Sequence, residues 1–180
     1  MSSNANTPTK TTKSISSKKS KILEEETYCI IRIRGAHGMN RKILHTLHLL
    51  NLHRVNSATL VKTTPSVRGM IQKIKDYVAY GPISSDMIKK LLEKRALLEG
   101  NKPLTDHYVR TNTVYKSISD LANAIHKGKI TLKEINGLKP IFRLHPPIGG
   151  YPGSIKKPVG AGGSLGKVGD KINLYLRKMI

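Results

Sequence analysis

The chain has 180 residues and a strongly basic composition, with 32 lysines and arginines against 11 aspartates and glutamates and a formal net charge of +21 at pH 7. Such a charge attracts polyanions, so nucleic acid is the first expected partner and an anionic membrane surface the second. A single cysteine, Cys29, excludes an intramolecular disulfide framework and a multi-cysteine zinc site. No apolar run approaches the ~20 residues that span a bilayer, and no signal-peptide segment is present, so we expect a soluble intracellular protein.

The composition of residues 1–26 predicts a basic tail that is disordered in the free protein. They are mainly Ser, Thr, Asn and Lys, followed by Glu24, Glu25 and Glu26. Because such a composition offers almost nothing to bury, the entropy cost of ordering it is not offset. A solvated tail without a function of its own is one interpretation, and a transit peptide is disfavoured because the tail lacks arginine.

A strand is predicted at residues 28–35, where β-branched side chains are frequent. Side chains alternate along a strand, so Ile31 and Ile33 share one face while Arg32 and Arg34 project from the other. The two arginines therefore predict an accessible cationic strand face.

Two helices and two further strands are predicted up to residue 80. Asn40 can cap a helix that runs to about Leu52, and a strand follows near 57–62. Thr64-Pro65 is typical of a helix start, because the hydroxyl caps the helix and proline needs no hydrogen-bond partner there. A third strand is expected to end before the Gly81-Pro82 break.

The rest of the chain is predicted to be mostly helical. Helix starts are expected near Ser84, at Thr105 and at Ser117, because serine and threonine are preferred N-caps. Residues 141–145 favour a returning strand, and residues 170–180 favour a terminal amphipathic helix.

Residues 146–169 differ from the rest in composition, since they contain eight glycines together with Lys156, Lys157 and Lys167. Their apolar residues are too sparse for a local core, so we expect this segment to be mobile in the free protein and to order as an extended path on RNA.

Neither a metal site nor a catalytic site is predicted, and no cofactor is expected. His45 and His48 are spaced to share one ion on a helix, but Arg41 and Lys42 would repel a cation and no carboxylate completes the set. Cys29 lies in an apolar strand and is expected to be a small buried residue rather than a reactive thiolate. The acidic residues are scattered, and general acid–base chemistry needs carboxylates held in a pocket.

What remains is a distributed set of cations. Arg143 and His145 repeat the strand spacing of Arg32 and Arg34, and Arg68 lies on the polar side of the helix that starts at Pro65. Aromatic residues make up only 4% of the chain, which disfavours single-strand stacking platforms and favours folded RNA recognised by backbone and shape.

Four segments together resemble one family: Ile30–Gly35, Leu52–Asn56, Thr64–Lys73 and Phe142–Pro147. The sequence is similar, over residues 28–180, to the archaeal and eukaryotic members of the large-subunit ribosomal protein L-thirty family, called L-seven in eukaryotes. The stretches 76–78, 100–102 and 104–106 resemble the archaeal type.

The resemblance implies an α+β fold, with a ferredoxin-like β-α-β-α-β core and an antiparallel sheet. Together with the tail at 1–26, which composition predicts, this gives an RNA-binding core at 27–81 and a region at 82–180. The last region is a helical extension with a returning strand, a Gly/Pro-rich basic loop and a C-terminal helix, packed with the core as one globular unit.

The resemblance also implies a function: a non-enzymatic, cytoplasmic constituent of the large ribosomal subunit that holds folded large-subunit rRNA. Neighbouring ribosomal proteins are the other expected partners, and the chain is expected to be monomeric within the ribosome. A free-standing RNA chaperone or ribosome-assembly factor is the alternative. A membrane-surface protein is less well supported, because no long basic amphipathic helix is present.

The matched positions and the cations beside them give the predicted RNA-binding residues. The set is Arg32, Arg34, Arg41, Lys42, His53, Arg54, Pro65, Ser66, Arg68, Gly69, Lys73, Arg143, His145, Gly149, Gly150, Lys156, Lys157 and Lys167.

Two features depart from the family. Ile148 stands where archaeal relatives usually carry arginine, so one phosphate contact is expected to be absent, and the basic tail has no counterpart in typical archaeal members.

Overall fold

The computed structural model describes residues 27–180 and contains a six-stranded sheet in the order β4-β2-β1-β3-β6-β5. The strands are β1 (Thr27–Arg32), β2 (Ser57–Lys62), β3 (Val78–Pro82), β4 (Phe142–Arg143), β5 (Ser154–Pro158) and β6 (Gly163–Lys167). The predicted disorder of the tail lies outside the described residues.

The central strand β1 is antiparallel to both of its neighbours. Ile31 of β1 lies opposite Ala58 of β2, and Arg32 lies opposite Val78 of β3. β4 extends the sheet antiparallel to β2. The predicted α+β fold with a β-α-β-α-β core and an antiparallel sheet is therefore confirmed.

Residues 27–180 form six α-helices, and most of them begin at the predicted caps. They are α1 (Arg41–Leu49), α2 (Pro65–Ile74), α3 (Ser85–Arg95), α4 (Asp106–Asn112), α5 (Ile118–His126) and α6 (Ile172–Met179). The Asn40 side chain accepts from the Lys42 N–H at 2.9 Å, Thr64 from Val67 at 3.3 Å and Ser117 from Asp120 at 3.2 Å. None of the helices in the described part is long and apolar enough to cross a bilayer.

Apolar side chains cover both faces of the sheet. On one face, Ile30 and Val78 pack with residues of α1 and α2 such as Leu47 and Ile71. On the other face, a larger cluster joins Ile31 to α3, α4, α5 and α6. Because helices cover both faces, the sheet of the described part, residues 27–180, offers a partner its ends and outer edges.

The Gly/Pro-rich segment has a defined place in this sheet. β6 pairs in parallel with β3, with Ala79 opposite Gly166, and β5 pairs with β6. Ser164 and Leu165 are buried. We expected residues 146–169 to be mobile in the free protein for want of contacts. The structure instead gives β5 and β6 ladder partners and places Leu165 in the core, so these parts of the segment belong to the protein's own fold.

The predicted break at Gly81-Pro82 is also wrong, since β3 runs through both residues. At Gly81 the backbone of another segment passes so close that a Cβ atom would lie 2.3 Å from the carbonyl oxygen of Gly169. The glycine therefore marks a close approach of two backbones rather than a turn.

Candidate nucleic-acid interface

Many of the predicted cations lie at one end of the sheet, where β1 ends and where β2 and β3 begin. The register sets this end, because Ile31 lies opposite Ala58 and Arg32 opposite Val78, the first residue of β3. β4 joins β2 there through Arg143. We name this region the basic end of the sheet and define it by the segments 33–38, 53–57, 75–78 and 142–157.

The charge of the basic end is strongly one-sided. Its only acidic residue in sequence is Asp76, and its lysines and arginines are Arg34, Arg54, Lys75, Arg143, Lys156 and Lys157. All six cations except the half-buried Arg34 are exposed. Cations gathered without matching carboxylates attract a polyanion and repel one another, so a bound phosphate backbone would relieve their repulsion.

Arg32 does not belong to this accessible set. Only 1% of the residue is exposed, and its guanidinium donates to the carbonyl oxygens of Leu52 at 2.7 Å and His53 at 2.8 Å. A third bond reaches the carbonyl oxygen of Arg34 at 3.0 Å. Burial lowers the pKa of the guanidinium. The prediction that Arg32 and Arg34 present one accessible face is therefore wrong for Arg32, because α1 and the segment that follows it cover this face.

Arg34, two residues after the end of the same strand, remains partly accessible. Its guanidinium carbon lies 4.9 Å from the centre of the Tyr77 ring, and its Nη1 donates to the carbonyl oxygen of Asp76 at 3.2 Å. Stacking on an aromatic ring holds an arginine in place while leaving other N–H groups free for an anion.

A cleft of about 280 Å³ adjoins this arginine. Segment 33–38 and Tyr77 form one part of its lining, and Ile155 and Lys156 of β5 form another. The structure thus brings together Arg34 and Lys156, two predicted residues that are far apart in sequence. It adds His37, which sequence reasoning missed and which only the flanking Gly35 and Gly38 signal as part of an exposed loop.

Asn56 joins the segments on the β4 side of the basic end. Its N–H donates to the Arg32 carbonyl at 2.8 Å, and its own carbonyl accepts from the Leu144 N–H at 3.0 Å. Its side-chain oxygen accepts from the Tyr151 hydroxyl at 2.9 Å. Asn56 thereby holds the exposed Arg54 and Arg143 on neighbouring segments.

The histidines here occupy defined places. The rings of His53 and His48 lie 4.8 Å apart, which links the basic end to the exposed face of α1. The His145 N–H donates to the Met179 carbonyl at 3.2 Å, so this predicted contact residue is anchored on α6. Arg41 and Lys42 are exposed in the first turn of α1, directly after segment 33–38.

The glycine pair after the two prolines forms a turn. Gly149 and Gly150 both have positive φ angles, of 77° and 75°, and both are exposed. The Gly150 N–H donates to the Pro147 carbonyl at 2.9 Å, and the Ile148 N–H donates to the Lys178 carbonyl at 3.0 Å. These two amides are engaged within the protein, so the exposed surface of the turn, rather than these two N–H groups, is what it offers to a partner.

The remaining predicted residues lie elsewhere. α2 starts after the far end of β2, so Pro65, Ser66, Arg68 and Gly69 are exposed at the opposite end of the sheet. Lys73 lies in the last turn of α2, near the basic end. The exposed Lys167 lies opposite Tyr80 within β3.

The other chemistries considered have these structural outcomes. Among residues 27–180, no three His, Cys, Asp or Glu side chains come together as a candidate metal site. Cys29 is fully buried, as predicted, and burial raises the pKa of its thiol, so it stays protonated.

The protein is expected to lose stability between about pH 10 and pH 12, and this loss should be smaller in Tyr151→Phe. Burial raises the pKa of Tyr151 to about 12, and Tyr175 adds to the rise. A phenol with a raised pKa in the folded state stabilises the fold fully below its unfolded pKa of ~10 and loses this contribution as pH rises through the folded value. Thermal denaturation across this pH range measures the effect.

Tyr108→Phe is the matched control, because the Tyr108 hydroxyl also donates a hydrogen bond, to the Asn136 carbonyl at 2.8 Å. Parallel curves for the wild type and Tyr151→Phe through the alkaline range would contradict the prediction. A lower stability of Tyr151→Phe at neutral pH alone would reflect the lost hydroxyl bonds to Asn56 and to the Met179 sulfur.

Known proteins are similar in sequence to this chain over most of its length. The profile of the family described as "Ribosomal protein L30p/L7e" matches residues 28–78, from β1 to the first residue of β3. The "Large ribosomal subunit protein uL30" of Methanosphaera stadtmanae is 49% identical over 153 residues, which are 85% of this chain and 99% of the relative. The protein of the same name from Hyperthermus butylicus is 46% identical over 162 residues, covering 85% of this chain and 90% of the relative.

A third relative of that name, from Methanobrevibacter smithii, is 42% identical over 153 residues, covering 85% of this chain and 99% of the relative. All three organisms are archaea, so the resemblance to the archaeal type of the family is confirmed. With identity of this order over nearly the whole of each relative, the chain belongs to the uL30 family of ribosomal proteins, whose members are structural and not enzymes.

Proposed function

We propose that the chain is a structural constituent of the large ribosomal subunit in the cytoplasm and binds folded large-subunit rRNA through the basic end of the sheet. The observation that carries the proposal is the gathering of six cations against the single carboxylate of Asp76. The three relatives are named as large ribosomal subunit proteins, which supports the same assembly. Neighbouring ribosomal proteins are the remaining partners.

The shape of this surface favours folded RNA. Arg143 stands in β4, and Lys156 and Lys157 stand in β5, so we propose that the sheet sets the spacing of these cations before binding. Cations at fixed positions bind phosphates at matching positions, as a folded RNA presents them. Sequence-specific recognition of single strands relies on stacked bases instead. We propose that Arg34, Arg54, Arg143 and Lys156 contact phosphates directly and that Arg41 and Lys42 extend the surface along α1.

A charge-reversal pair tests the proposal. Arg54→Glu combined with Lys156→Glu is expected to weaken the binding of the full chain to large-subunit rRNA by at least about tenfold. Each lost phosphate contact should flatten the slope of log affinity against log salt by ~0.9, the value for duplex DNA. Filter binding at several salt concentrations measures both quantities, and circular dichroism checks that the fold is retained.

Lys102→Glu combined with Lys129→Glu is the control, since both lysines are exposed outside the basic end and the change in net charge is identical. An equal loss of affinity in both double variants would reduce the binding to unspecific attraction and refute the proposed interface. Sedimentation addresses the assembly: a constituent stays with large subunits through a high-salt wash. Release into the supernatant would favour the RNA chaperone or assembly factor.

A further inference from the structure

The cleft beside Arg34 has a mixed lining that a phosphate group alone does not explain. Ile33, Tyr77 and Ile155 line it together with the cations Arg34 and Lys156. Ile155 is 47% exposed although it is a large aliphatic residue. Phosphates need hydrogen-bond donors and positive charge, whereas apolar and aromatic surface suits a flat organic group. The lining therefore indicates a ligand that has both an anionic part and a planar ring.

Arg34 and Tyr77 together offer a stacking surface at this cleft. The guanidinium carbon lies 4.9 Å from the centre of the tyrosine ring, and the hydrogen bond to the Asp76 carbonyl holds the guanidinium there. Unpaired RNA bases stack on aromatic rings and on the planes of arginine guanidinium groups. Stacking uses the plane of the guanidinium and leaves its remaining N–H groups for a phosphate.

Glycines keep the cleft open. Gly35 and Gly38 both line it, and no atom lies within 4 Å of a Cβ added at either position. The cleft measures about 280 Å³, just below the ~300–1,000 Å³ that is usual for pockets holding one small ligand. This space suits a single base rather than a run of stacked bases.

We propose that this cleft holds one unpaired nucleobase that projects from the folded large-subunit rRNA. The inference rests on the proposed function and extends it, because it assigns a base, and not only phosphates, to the basic end of the sheet. The base stacks against Arg34 and Tyr77, and Ile155 covers its other side. Lys156 neutralises a phosphate beside the base. None of the described residues that line the cleft is acidic, so no lining carboxylate repels that phosphate.

Gly35→Leu tests the proposal without changing a charge. Its φ angle is not positive and an added Cβ meets no atom within 4 Å, so the side chain should take up the space for the base without disturbing the fold. The affinity of the full chain for large-subunit rRNA is expected to fall about tenfold, within the range for one lost stacked base. The slope of log affinity against log salt should stay the same, because no phosphate contact is lost. Filter binding at several salt concentrations measures both quantities.

Gly160→Leu is the matched control. Gly160 is exposed, lies outside the cleft lining and also has no atom within 4 Å of an added Cβ, so this variant should bind like the wild type. Ile155→Ser is a second test and should weaken binding several-fold. Its control is Val55→Ser, because Val55 is a 43% exposed aliphatic residue outside the cleft lining. Circular dichroism checks that each variant is folded.

Changes to the RNA test the same contact from the other side. Ultraviolet crosslinking of the wild-type chain to large-subunit rRNA, followed by mass spectrometry, should join one base to Tyr77 or to another residue of the cleft lining. An rRNA with an abasic site at that nucleotide keeps its phosphates and should bind the wild type about tenfold more weakly. Gly35→Leu should bind the intact and the abasic RNA equally, because it has already lost the contact with the base.

Wild-type affinity in both Gly35→Leu and Ile155→Ser would overturn the inference. A flatter salt slope in Gly35→Leu would also overturn it, because the cleft would then hold a phosphate. Crosslinks from the cleft to another ribosomal protein, with unchanged binding to free rRNA, would assign the cleft to a protein partner instead. Failure of the proposed function gives a different result, since the Arg54→Glu, Lys156→Glu pair would then bind rRNA no worse than its lysine control pair.

Discussion

Arg32→Ala is expected to lower the free energy of unfolding by about 3–5 kcal/mol, the cost of leaving buried carbonyls without donors and a cavity in place of a long side chain. The carbonyls of Leu52 and His53 accept from this guanidinium at 2.7 and 2.8 Å. A single guanidinium nitrogen donates to both oxygens, a geometry that the planar fork of arginine suits and alanine cannot supply. The melting temperature should fall by about 10 °C, measured by thermal and urea denaturation of the free chain.

Arg34→Ala is the matched control, because Arg34 carries the same side chain two positions further along, just after β1 ends. Its guanidinium stacks on Tyr77 and donates to the exposed Asp76 carbonyl, so its loss should cost only about 1 kcal/mol. Its affinity for large-subunit rRNA should nevertheless fall. If both variants lost equal stability, Arg32 would have no special structural role.

Gly81→Ala is expected to destabilise the protein by about 2–4 kcal/mol, more than a methyl group usually costs in a strand. The added Cβ would lie 2.3 Å from the Gly169 carbonyl oxygen and 3.1 Å from its nitrogen. Main-chain atoms cannot rotate away as a flexible side chain does, so the backbone at Gly169 would have to move away from β3. Urea denaturation measures the loss, and amide exchange in β6 shows whether the strands separate.

Gly69→Ala provides the comparison. This glycine lies inside α2, is exposed, and has no atom within 4 Å of an added Cβ. Alanine is favoured over glycine in a helix by about 0.5–1 kcal/mol, so this variant should be more stable than the wild type. A Gly81→Ala protein as stable as the wild type would show that β3 and the segment at Gly169 are not in tight contact.

Local sequence signals predicted much of the fold because the elements carry their own start signals and periodicities. Thr64-Pro65 and the apolar spacing that follows specify α2, and Asn40 and Ser117 cap α1 and α5 as expected. The β-branched content of β1 and β2 likewise marks two central strands. In each case the information lies within a few neighbouring residues.

Elements that depend on tertiary pairing were not predictable in this way. β6 has the sequence Gly-Ser-Leu-Gly-Lys, which lacks β-branched residues, and it becomes a strand only because the edge of β3 is available to it. Arg32 shows the same limit. Alternation assigned it to the correct side of β1, but only the packing of α1 and residues 52–53 decides that this side is buried.

The sequence predicts which types of residue form the candidate site, but it does not predict where in the fold these residues come together. The excess of cations pointed to RNA, and Arg34, Arg54, Arg143 and Lys156 were each named from the sequence. The convergence of Arg34 and Lys156 is a tertiary feature, because β3 and β6 separate β5 from β1 in the sheet and yet Lys156 lines the same cleft as segment 33–38. Tyr77 was not predicted as a site residue because its role is to support Arg34 rather than to carry charge.

The pairing of β3 with β6 has a consequence for the time course of folding during synthesis. Ala79 is synthesised well before its partner Gly166. One edge of β3 therefore stays unpaired while the intervening helices are made. Contacts between residues so distant in sequence form slowly, because a long loop must close first. An unpaired edge on a nascent chain is open to wrong partners. Shielding of this edge until β6 emerges would therefore control how much of the chain reaches its folded state.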